Sequence, residues 1–313
     1  MIKIKERITY FLNNLLKRND FQTKFMLGSI FLNEAQKKYD SINNLEDTEY
    51  KVFSQTGEDG IIDFLLNKIE ILNTKFVEIG VGDYSESNTR YIYEKSFSKG
   101  LIIDIEKDLI KKVSKNINLW KGLLNIENIE IDSDNINEVL DKYDLNENLD
   151  LFSIDIDGVD YWVIDKLKPK ISKIFVLEYN PTFGHELEIT VPNVKNFNRF
   201  KSHYSGCYYG ASLKAMIKIM KSKGFEFVGT NKLNFNAFFV LDELSQKFEN
   251  LKKNLKTLDN YTSIKIRDSK NQNGDLNFLN KKSRLEQIKD LEVIDVSKKE
   301  NKEYKINQII SNI

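Results

Sequence analysis

The chain has 313 residues, enough for one large α/β core with extensions or for two modest domains. Lys and Arg together number 47, as do Asp and Glu, so the formal net charge is zero and a nucleic-acid partner, which normally brings a basic excess, is not expected. The only cysteine, Cys207, excludes a disulfide within the chain, and no apolar run suggests a signal peptide or a membrane span, so we expect a cytoplasmic protein.

Residues 1–48 form a predicted helical N-terminal cap. Apolar residues recur there at helical spacing, at Ile4, Ile8, Phe11, Leu12, Leu15, Leu16, Phe21, Phe25 and Met26. Basic residues in the same stretch, such as Lys3 and Arg7, would also suit a helix that lies on a membrane surface. A helix packed on the core is the simpler interpretation, and we expect no membrane partner.

Residues 49–241 alternate short apolar runs with helical patterns, which is typical of a parallel sheet. The predicted strands are Lys75–Gly80, Leu101–Ile105, Leu124–Ile131, Leu149–Asp155, Lys173–Glu178, Phe225–Thr230 and Ala237–Leu241. The clearest helices are Glu58–Leu72, Ile136–Lys142, Asp160–Leu167 and Ser212–Lys223. A short Asn/Lys-rich turn joins the last two strands, which predicts an antiparallel hairpin. Five parallel strands and such a hairpin match the doubly wound, seven-stranded, Rossmann-like sheet of class I methyltransferases better than a six-stranded dinucleotide fold.

Residues 242–313 form a predicted, mostly helical C-terminal appendage. They are rich in Lys, Asn and Glu and show no further β/α alternation. Glu243–Leu258 is amphipathic, and Ser283–Leu291 is a second candidate helix. We expect this segment to serve packing, partner contact or self-association into a homo-oligomer.

A glycine turn follows the first strand of the predicted sheet. Glu78 ends the apolar run and precedes Gly80-x-Gly82, after which a helix is expected near Ser85. Glycines let the backbone approach a ligand closely, and a helix N-terminus favours an anion. Ser85 replaces the third glycine of the dinucleotide fingerprint. The acidic Glu78 better suits the amino group of methionine than a pyrophosphate.

Acidic residues also follow the next two strands. Asp104 is placed to accept hydrogen bonds from ribose hydroxyls, which fits either NAD or S-adenosylmethionine. Asp132 is placed to meet the adenine amino group. Each carboxylate could instead cap the helix that follows it. Three of them at successive strand ends, beside a glycine turn, favour a nucleoside at the point where the strand order reverses.

Several motifs together resemble FkbM-type and related bacterial sugar O-methyltransferases. They are Phe53-Ser54-Gln55-Thr56-Gly57-Glu58-Asp59-Gly60, the turn from Glu78 to Gly82, and Asp155-Ile156-Asp157-Gly158. Glu178-Tyr179-Asn180 and Tyr209-Gly210-Ala211-Ser212-Leu213 look like methyltransferases of bacterial capsule and glycan clusters. The resemblance covers about residues 50–241.

The resemblance implies a class I fold, S-adenosylmethionine as methyl donor, and transfer to an oxygen of a sugar, a nucleotide-sugar or a similar capsule precursor. It implies cofactor contacts at Gln55, Thr56, Glu78, Gly80, Gly82, Asp104, Asp132 and Asp155. The fourth-strand motif of the family often reads Asp-hydrophobic-Glu-Gly, whereas Asp157 stands in place of the Glu here. This departure leaves the contacts to the acceptor open.

Methyl transfer to an alcohol requires that the nucleophile be aligned and its proton removed. Asp155, Asp157, Glu178 and Asn180 are hard oxygen ligands at the ends of the fourth and fifth strands. They could hold Mg²⁺ or another divalent cation that lowers the pKa of the acceptor hydroxyl. Alternatively, Asp157 or His185 is the direct catalytic base, although a lone loop histidine is often only exposed or packed.

His203 could contact an anionic acceptor together with Lys201. Three further residues are predicted to line the acceptor side: Tyr208, Tyr209 and Ser212. The tyrosines could equally be packing residues.

Two other classes of protein stay open. A NAD-dependent sugar dehydrogenase is disfavoured by Ser85 and by the lack of a Tyr-x-x-x-Lys pair, because Tyr161 is followed by Asp165 and Tyr208 by Ser212. A non-catalytic scaffold or glycan-binding domain would have no need of a complete donor pocket. Measured cofactor affinity separates the three classes.

Overall fold

The computed structural model describes residues 21–310 except 97, 118, 265–268 and 299. The strands are β1 (Lys75–Ile79), β2 (Lys99–Asp104), β3 (Leu123–Asn128), β4 (Leu149–Ile154), β5 (Ser172–Glu178), β6 (Ile189–Thr190), β7 (Phe225–Thr230), β8 (Asn236–Leu241), β9 (Glu292–Asp295) and β10 (Lys302–Lys305).

The α-helices are α1 (21–36), α2 (Glu58–Lys68), α3 (Arg90–Lys95), α4 (Leu109–Asn116), α5 (Ile136–Lys142), α6 (Asp160–Lys166), α7 (Arg199–Ser202), α8 (Leu213–Ser222), α9 (Glu249–Lys253), α10 (Leu258–Tyr261), α11 (Lys281–Ile288) and α12 (Ile306–Ile310). Short 3-10 helices cover Tyr39–Ser41, Leu45–Thr48, Leu119–Lys121, Pro181–Phe183 and Asp242–Phe248. The apolar positions predicted before residue 21 lie outside the described residues. No helix in the described part of the chain is both long and apolar enough to cross a bilayer.

The main sheet has seven strands in the order β3-β2-β1-β4-β5-β8-β7. Strands β1 to β5 pair in parallel, and β8 runs antiparallel to both β5 and β7. This is the predicted arrangement, including the final hairpin, and it confirms the class I methyltransferase fold with a doubly wound, Rossmann-like sheet. All parallel strands end at one edge of the sheet, which we call the carboxyl edge.

Alternate strand residues face opposite sides of the sheet and build two cores, because side chains along a strand point in turn to each face. Val77 and Ile103 face one core, whereas Phe76 and Ile102 face the other. The first core packs against α5, α6 and α8. The second packs against α2, α3 and α4. The sheet is therefore buried on both faces, which explains why its strands read as nearly continuous apolar runs.

Helix α2 ends four residues earlier than predicted. Glu70 adopts a left-handed φ of 63°, and the Ile71 N–H donates to the Leu66 carbonyl at 3.0 Å. This C-terminal cap ends the helix at Lys68, although the apolar pattern continues to Leu72.

A second, three-stranded sheet has the order β10-β9-β6. It joins the appendage to the loop after β5, because Ile189 and Thr190 pair antiparallel with Asp295 and Ile294. Buried side chains from both segments form one apolar cluster, which we call the second-sheet cluster: Phe183, Ile189, Val191, Cys207, Tyr208, Ile288, Val293 and Ile306. The appendage contains the short helices α9 to α12 and the strands β9 and β10, and the two strands were not predicted.

Candidate active site

The candidate site lies at the carboxyl edge, where β1 is flanked by β2 on one side and β4 on the other. This is the switch point of the sheet, at which open α/β folds form their ligand crevice. Gly80 has a φ of 88°, and a Cβ built on it would lie 1.6 Å from the Asp155 carbonyl oxygen. Gly82 has a φ of 56° and nothing within 4 Å of such a Cβ. The turn is therefore closed against β4 at Gly80 and open at Gly82.

Asp104 fixes this turn from the end of β2. Its two oxygens accept the N–H groups of Gly82 and Glu106, each at 2.7 Å. Burial raises the pKa of Asp104, and the backbone hydrogen bonds partly oppose that shift. The Val81 N–H also acts on this carboxylate, which still has room for a further hydrogen bond. Ile105, 66% exposed, follows directly. A carboxylate beside an exposed apolar side chain can receive a ribose hydroxyl next to a flat aromatic base.

Glu78 is buried and holds the start of α3. Its carboxylate accepts hydrogen bonds from the hydroxyls of Ser87 and Thr89 and from the backbone N–H groups of Asn88 and Thr89. Burial raises its pKa, and these donors oppose the shift. These hydrogen bonds favour a supporting role behind the turn rather than the predicted direct contact to a methionine amino group.

Gln55 and Thr56 lie in a loop that crosses to the β7–β8 hairpin. The Glu58 carboxylate accepts the Thr56 hydroxyl and the side-chain amides of Asn231 and Asn236, at 2.5 to 3.0 Å. Gln55 is exposed beside Thr56. The hairpin thus anchors this loop at the carboxyl edge, where its exposed part can face a ligand.

Asp59 is the second buried carboxylate of this loop. Its Oδ2 accepts the N–H groups of Val52, Phe53 and Ser54 and the Ser54 hydroxyl, at 2.7 to 2.8 Å. Burial raises the pKa of Asp59 to about 6 despite these bonds. For Glu58 burial also opposes ionisation, but its hydrogen bonds outweigh that effect and its pKa is lowered. Together the two carboxylates tie the resemblance motif to the N-terminus of α2.

Asp132 holds the turn that precedes α5. Its Oδ1 accepts the N–H groups of Asp134 and Asn135 at 2.8 and 3.1 Å, and the Asn135 side chain accepts the Asp132 N–H in return. This is the helix-capping alternative to an adenine contact. Asp132 is half-buried, so a ligand contact through its other oxygen stays a prediction.

The structure brings together three of the four predicted metal ligands. One carboxylate oxygen each from Asp155, Asp157 and Glu178 lies within 4.8 Å of the others, and we call these three residues the carboxylate cluster. Glu178 is buried, whereas the side chain of Asp157 is 51% exposed on a left-handed backbone with a φ of 54°. The cluster can therefore offer an exposed carboxylate to a ligand in front of a buried one.

Asn180, the fourth predicted ligand, is engaged elsewhere. Its side-chain amide donates to the carbonyls of Cys207 and Tyr209 at 2.9 and 3.0 Å and accepts the Thr182 N–H at 3.0 Å. It is fully buried. These contacts favour a role in holding the loop after β5 against the segment that precedes α8.

Arg199 supplies positive charge to the carboxylate cluster, and it was not among the residues predicted for the site. The guanidinium forms an ion pair with Asp157 and lies 4.1 Å from the centroid of the Tyr209 ring. Burial alone would lower the pKa of Arg199, but Tyr209, Asp157 and Glu178 raise it above its usual value. No local motif could have revealed this residue, because it lies 42 residues from Asp157, at the start of the short helix α7.

The two histidines lie in different segments between β5 and α8. The Nε2 of His185 lies 3.6 Å from a carboxylate oxygen of Glu186. The Nδ1 of His203 shares a hydrogen bond of 2.7 Å with the Ser205 hydroxyl, and burial lowers its pKa. Tyr208 is mostly buried and donates its hydroxyl to the Glu292 carbonyl, so it packs the second-sheet cluster.

No protein-family model matches the sequence, and no curated protein matches it. Similar solved structures include an S-adenosylmethionine-dependent methyltransferase from Clostridium acetobutylicum, at 10% identity and a TM-score of 0.38, over 59% of this chain and 90% of that one. A putative RNA methyltransferase from Pyrococcus horikoshii has 11% identity and a TM-score of 0.34, over 67% of this chain and 96% of that one. PKMT2 from Rickettsia typhi in complex with AdoHcy has 9% identity and a TM-score of 0.38, over 62% of this chain and 55% of that one. The strand order of the sheet, rather than these likenesses, assigns the class I fold.

Proposed function

We propose that the protein is an S-adenosylmethionine-dependent O-methyltransferase of the FkbM type that acts on a small polar acceptor, such as a sugar, a nucleotide-sugar or another capsule precursor. The contact between Asp104 and Gly82 carries the proposal. It joins a strand-end carboxylate to an open glycine turn at the switch point of a class I sheet.

The donor side fits an adenosyl ligand in chemistry and in space. The Asp104 carboxylate can accept a further hydrogen bond from a ribose hydroxyl, and the exposed Ile105 offers an apolar surface for the base. Gly82 leaves room for close approach of the ligand to the backbone. Gln55 and Thr56 complete this side from the loop before α2, while Glu78 supports the turn from behind.

The acceptor side needs a group that takes up a proton. S-adenosylmethionine, when bound, would supply the methyl group, with its sulfur as the leaving group that keeps the electron pair of the C–S bond. Asp157 is the exposed member of the carboxylate cluster. It accepts the proton of the acceptor hydroxyl while the hydroxyl oxygen forms its bond to the methyl carbon. His185, at the end of the loop after β5, is the alternative base.

The carboxylate cluster offers the oxygen ligands that a divalent cation prefers. The surroundings of the cluster do not suit a cation, because Asp157 already forms an ion pair with the guanidinium of Arg199. We therefore assign no step of the reaction to a metal.

Calorimetric titration tests the donor assignment. The full chain is titrated with S-adenosylmethionine, S-adenosylhomocysteine and NAD, in parallel with Asp104→Ala and with Glu106→Ala as the matched control. Glu106 follows the same strand, but its carboxylate pairs with Lys112 instead of Gly82. We expect both adenosyl ligands to bind and Asp104→Ala to weaken them about tenfold or more, the loss of a hydrogen-bonded charged group. Preference for NAD, or unchanged affinity in a folded Asp104→Ala, would overturn the proposal.

A further inference from the structure

Arg199 is held firmly in place beside the carboxylate cluster. Besides its ion pair with Asp157, its Nε and Nη2 donate to the Gly206 carbonyl at 2.9 and 2.6 Å. The flat face of the guanidinium lies over the Tyr209 ring, and the side chain is only 15% exposed. All three guanidinium nitrogens and one face of the group therefore have partners.

The segment that carries Arg199 owes its shape to local contacts. Asn198 starts α7 by accepting the N–H groups of Phe200 and Lys201 at 3.1 and 3.0 Å. The Gly206 N–H donates to the His203 carbonyl at 3.0 Å, and Gly206 takes a φ of 67°. These contacts place the guanidinium without help from the carboxylates.

Three carboxylates within 4.8 Å of one another repel, and the repulsion is strong because Glu178 is removed from water. A divalent cation would relieve it, but it would then lie next to a fixed guanidinium of the same sign. Arg199 already relieves it from one side, because its charge acts on both Asp157 and Glu178.

We propose that Arg199 is the positioning residue of the carboxylate cluster and takes the place that a divalent cation would occupy, so that the cluster works without metal. Only the catalytic role of the cluster depends on the proposed function; the replacement of a cation by Arg199 does not. Its test measures metal binding without any methyl donor, so that either idea can fail alone.

The experiment titrates the full chain with Mn²⁺, followed by electron paramagnetic resonance of the free ion. The variants are Arg199→Gln, which removes the charge, and Arg199→Lys, which keeps it. Arg284→Gln is the matched control, because Arg284 is also a buried arginine but lies in α11, where it donates to the Leu279 carbonyl. Thermal unfolding establishes that each variant is folded.

We expect the unchanged protein, Arg199→Lys and Arg284→Gln to bind Mn²⁺ weakly and alike. Arg199→Gln should bind it about tenfold more tightly or better, because a unit charge next to the ion is removed. Adding Asp157→Asn should abolish that gain. A merely structural arginine would give no gain of binding.

The proposal is overturned if folded Arg199→Gln gains no affinity. It is also overturned if the unchanged protein binds Mn²⁺ tightly and loses it in Asp157→Asn. That second comparison does not use an Arg199 variant, so it still decides the matter should the substitution prevent folding.

Discussion

Gly80 and Gly82 belong to one turn and both have positive φ, but their surroundings differ. A side chain at Gly80 meets the carbonyl of Asp155, the residue after β4, whereas a side chain at Gly82 meets open space. The first glycine is therefore needed by the fold, and the second is available to the ligand.

Alanine substitutions should separate these two roles. Gly80→Ala should cost several kcal/mol or prevent folding, because the backbone must move to relieve the clash. Gly82→Ala should cost only about 1 kcal/mol for the left-handed backbone but weaken S-adenosylmethionine binding about tenfold. Urea unfolding and calorimetry measure the two effects. Equal losses of stability in both variants would contradict this reading of the turn.

Glu58 and Asp59 are adjacent buried carboxylates whose pKa values shift in opposite directions. Asp59 has a pKa raised from 3.8 to about 6, so its contribution to stability is full below about pH 4 and is lost as the pH rises through about 6. Glu58 has a lowered pKa, so its contribution is present above about pH 4.5 and is lost on further acidification.

Substitution of each carboxylate should remove one limb of the pH profile of stability. In the unchanged protein, the pKa difference of about 2 between folded and unfolded Asp59 should lower the free energy of unfolding by at most about 3 kcal/mol between pH ~4 and ~7. Asp59→Asn should abolish this loss of stability. Glu58→Gln should reduce the loss on the acid side. Urea unfolding across this pH range measures both, with exposed Asp144→Asn as control. If the profile of Asp59→Asn ran parallel to that of the unchanged protein, the raised pKa would be refuted.

At the scale of elements, the second sheet is the feature that composition did not reveal. The strands of the main sheet are apolar runs buried on both faces, and each predicted one overlaps an observed strand. By contrast, β10 reads Lys-Glu-Tyr-Lys and β6 has only two residues. Their conformation depends on pairing with a distant segment rather than on local preference, so a single sequence could not predict it.

Ile288 tests whether the appendage folds with the main sheet. It is fully buried in the second-sheet cluster, so Ile288→Ala should cost about 2–5 kcal/mol, whereas the half-exposed Val194→Ala should change stability by less than about 0.5 kcal/mol.

Two probes can follow this unfolding. Circular dichroism reports the helices and sheets, and fluorescence includes Trp162, whose Nε1 donates to the Val191 carbonyl beside this cluster at 2.8 Å. We expect coincident transitions, both shifted in Ile288→Ala. Separate transitions would show that the appendage unfolds on its own.

Over the whole molecule, the residues predicted for the site fall into two groups. Gly82 follows β1 and Asp104 ends the neighbouring β2, and the two residues are in contact at the carboxyl edge. Asn180 and Glu78 lie where expected along the chain, but their polar groups are bonded inside the protein. Sequence gives the strand at whose end a side chain lies. It does not give the partners that the side chain finds there, which is also why Arg199 was missed.

The pairing of β6 with β9 also has a consequence for the order in which the protein is completed during synthesis. The seven strands of the main sheet have all been translated once Leu241 has been added. Ile189, however, must wait for Asp295, and Tyr208 for the Glu292 carbonyl that receives its hydroxyl. Because chains fold from the N-terminus as they emerge, the main sheet can form on the ribosome while the second sheet is still incomplete. The last strands to be made therefore complete the second-sheet cluster, to which the loop after β5 already contributes Phe183, Ile189 and Val191.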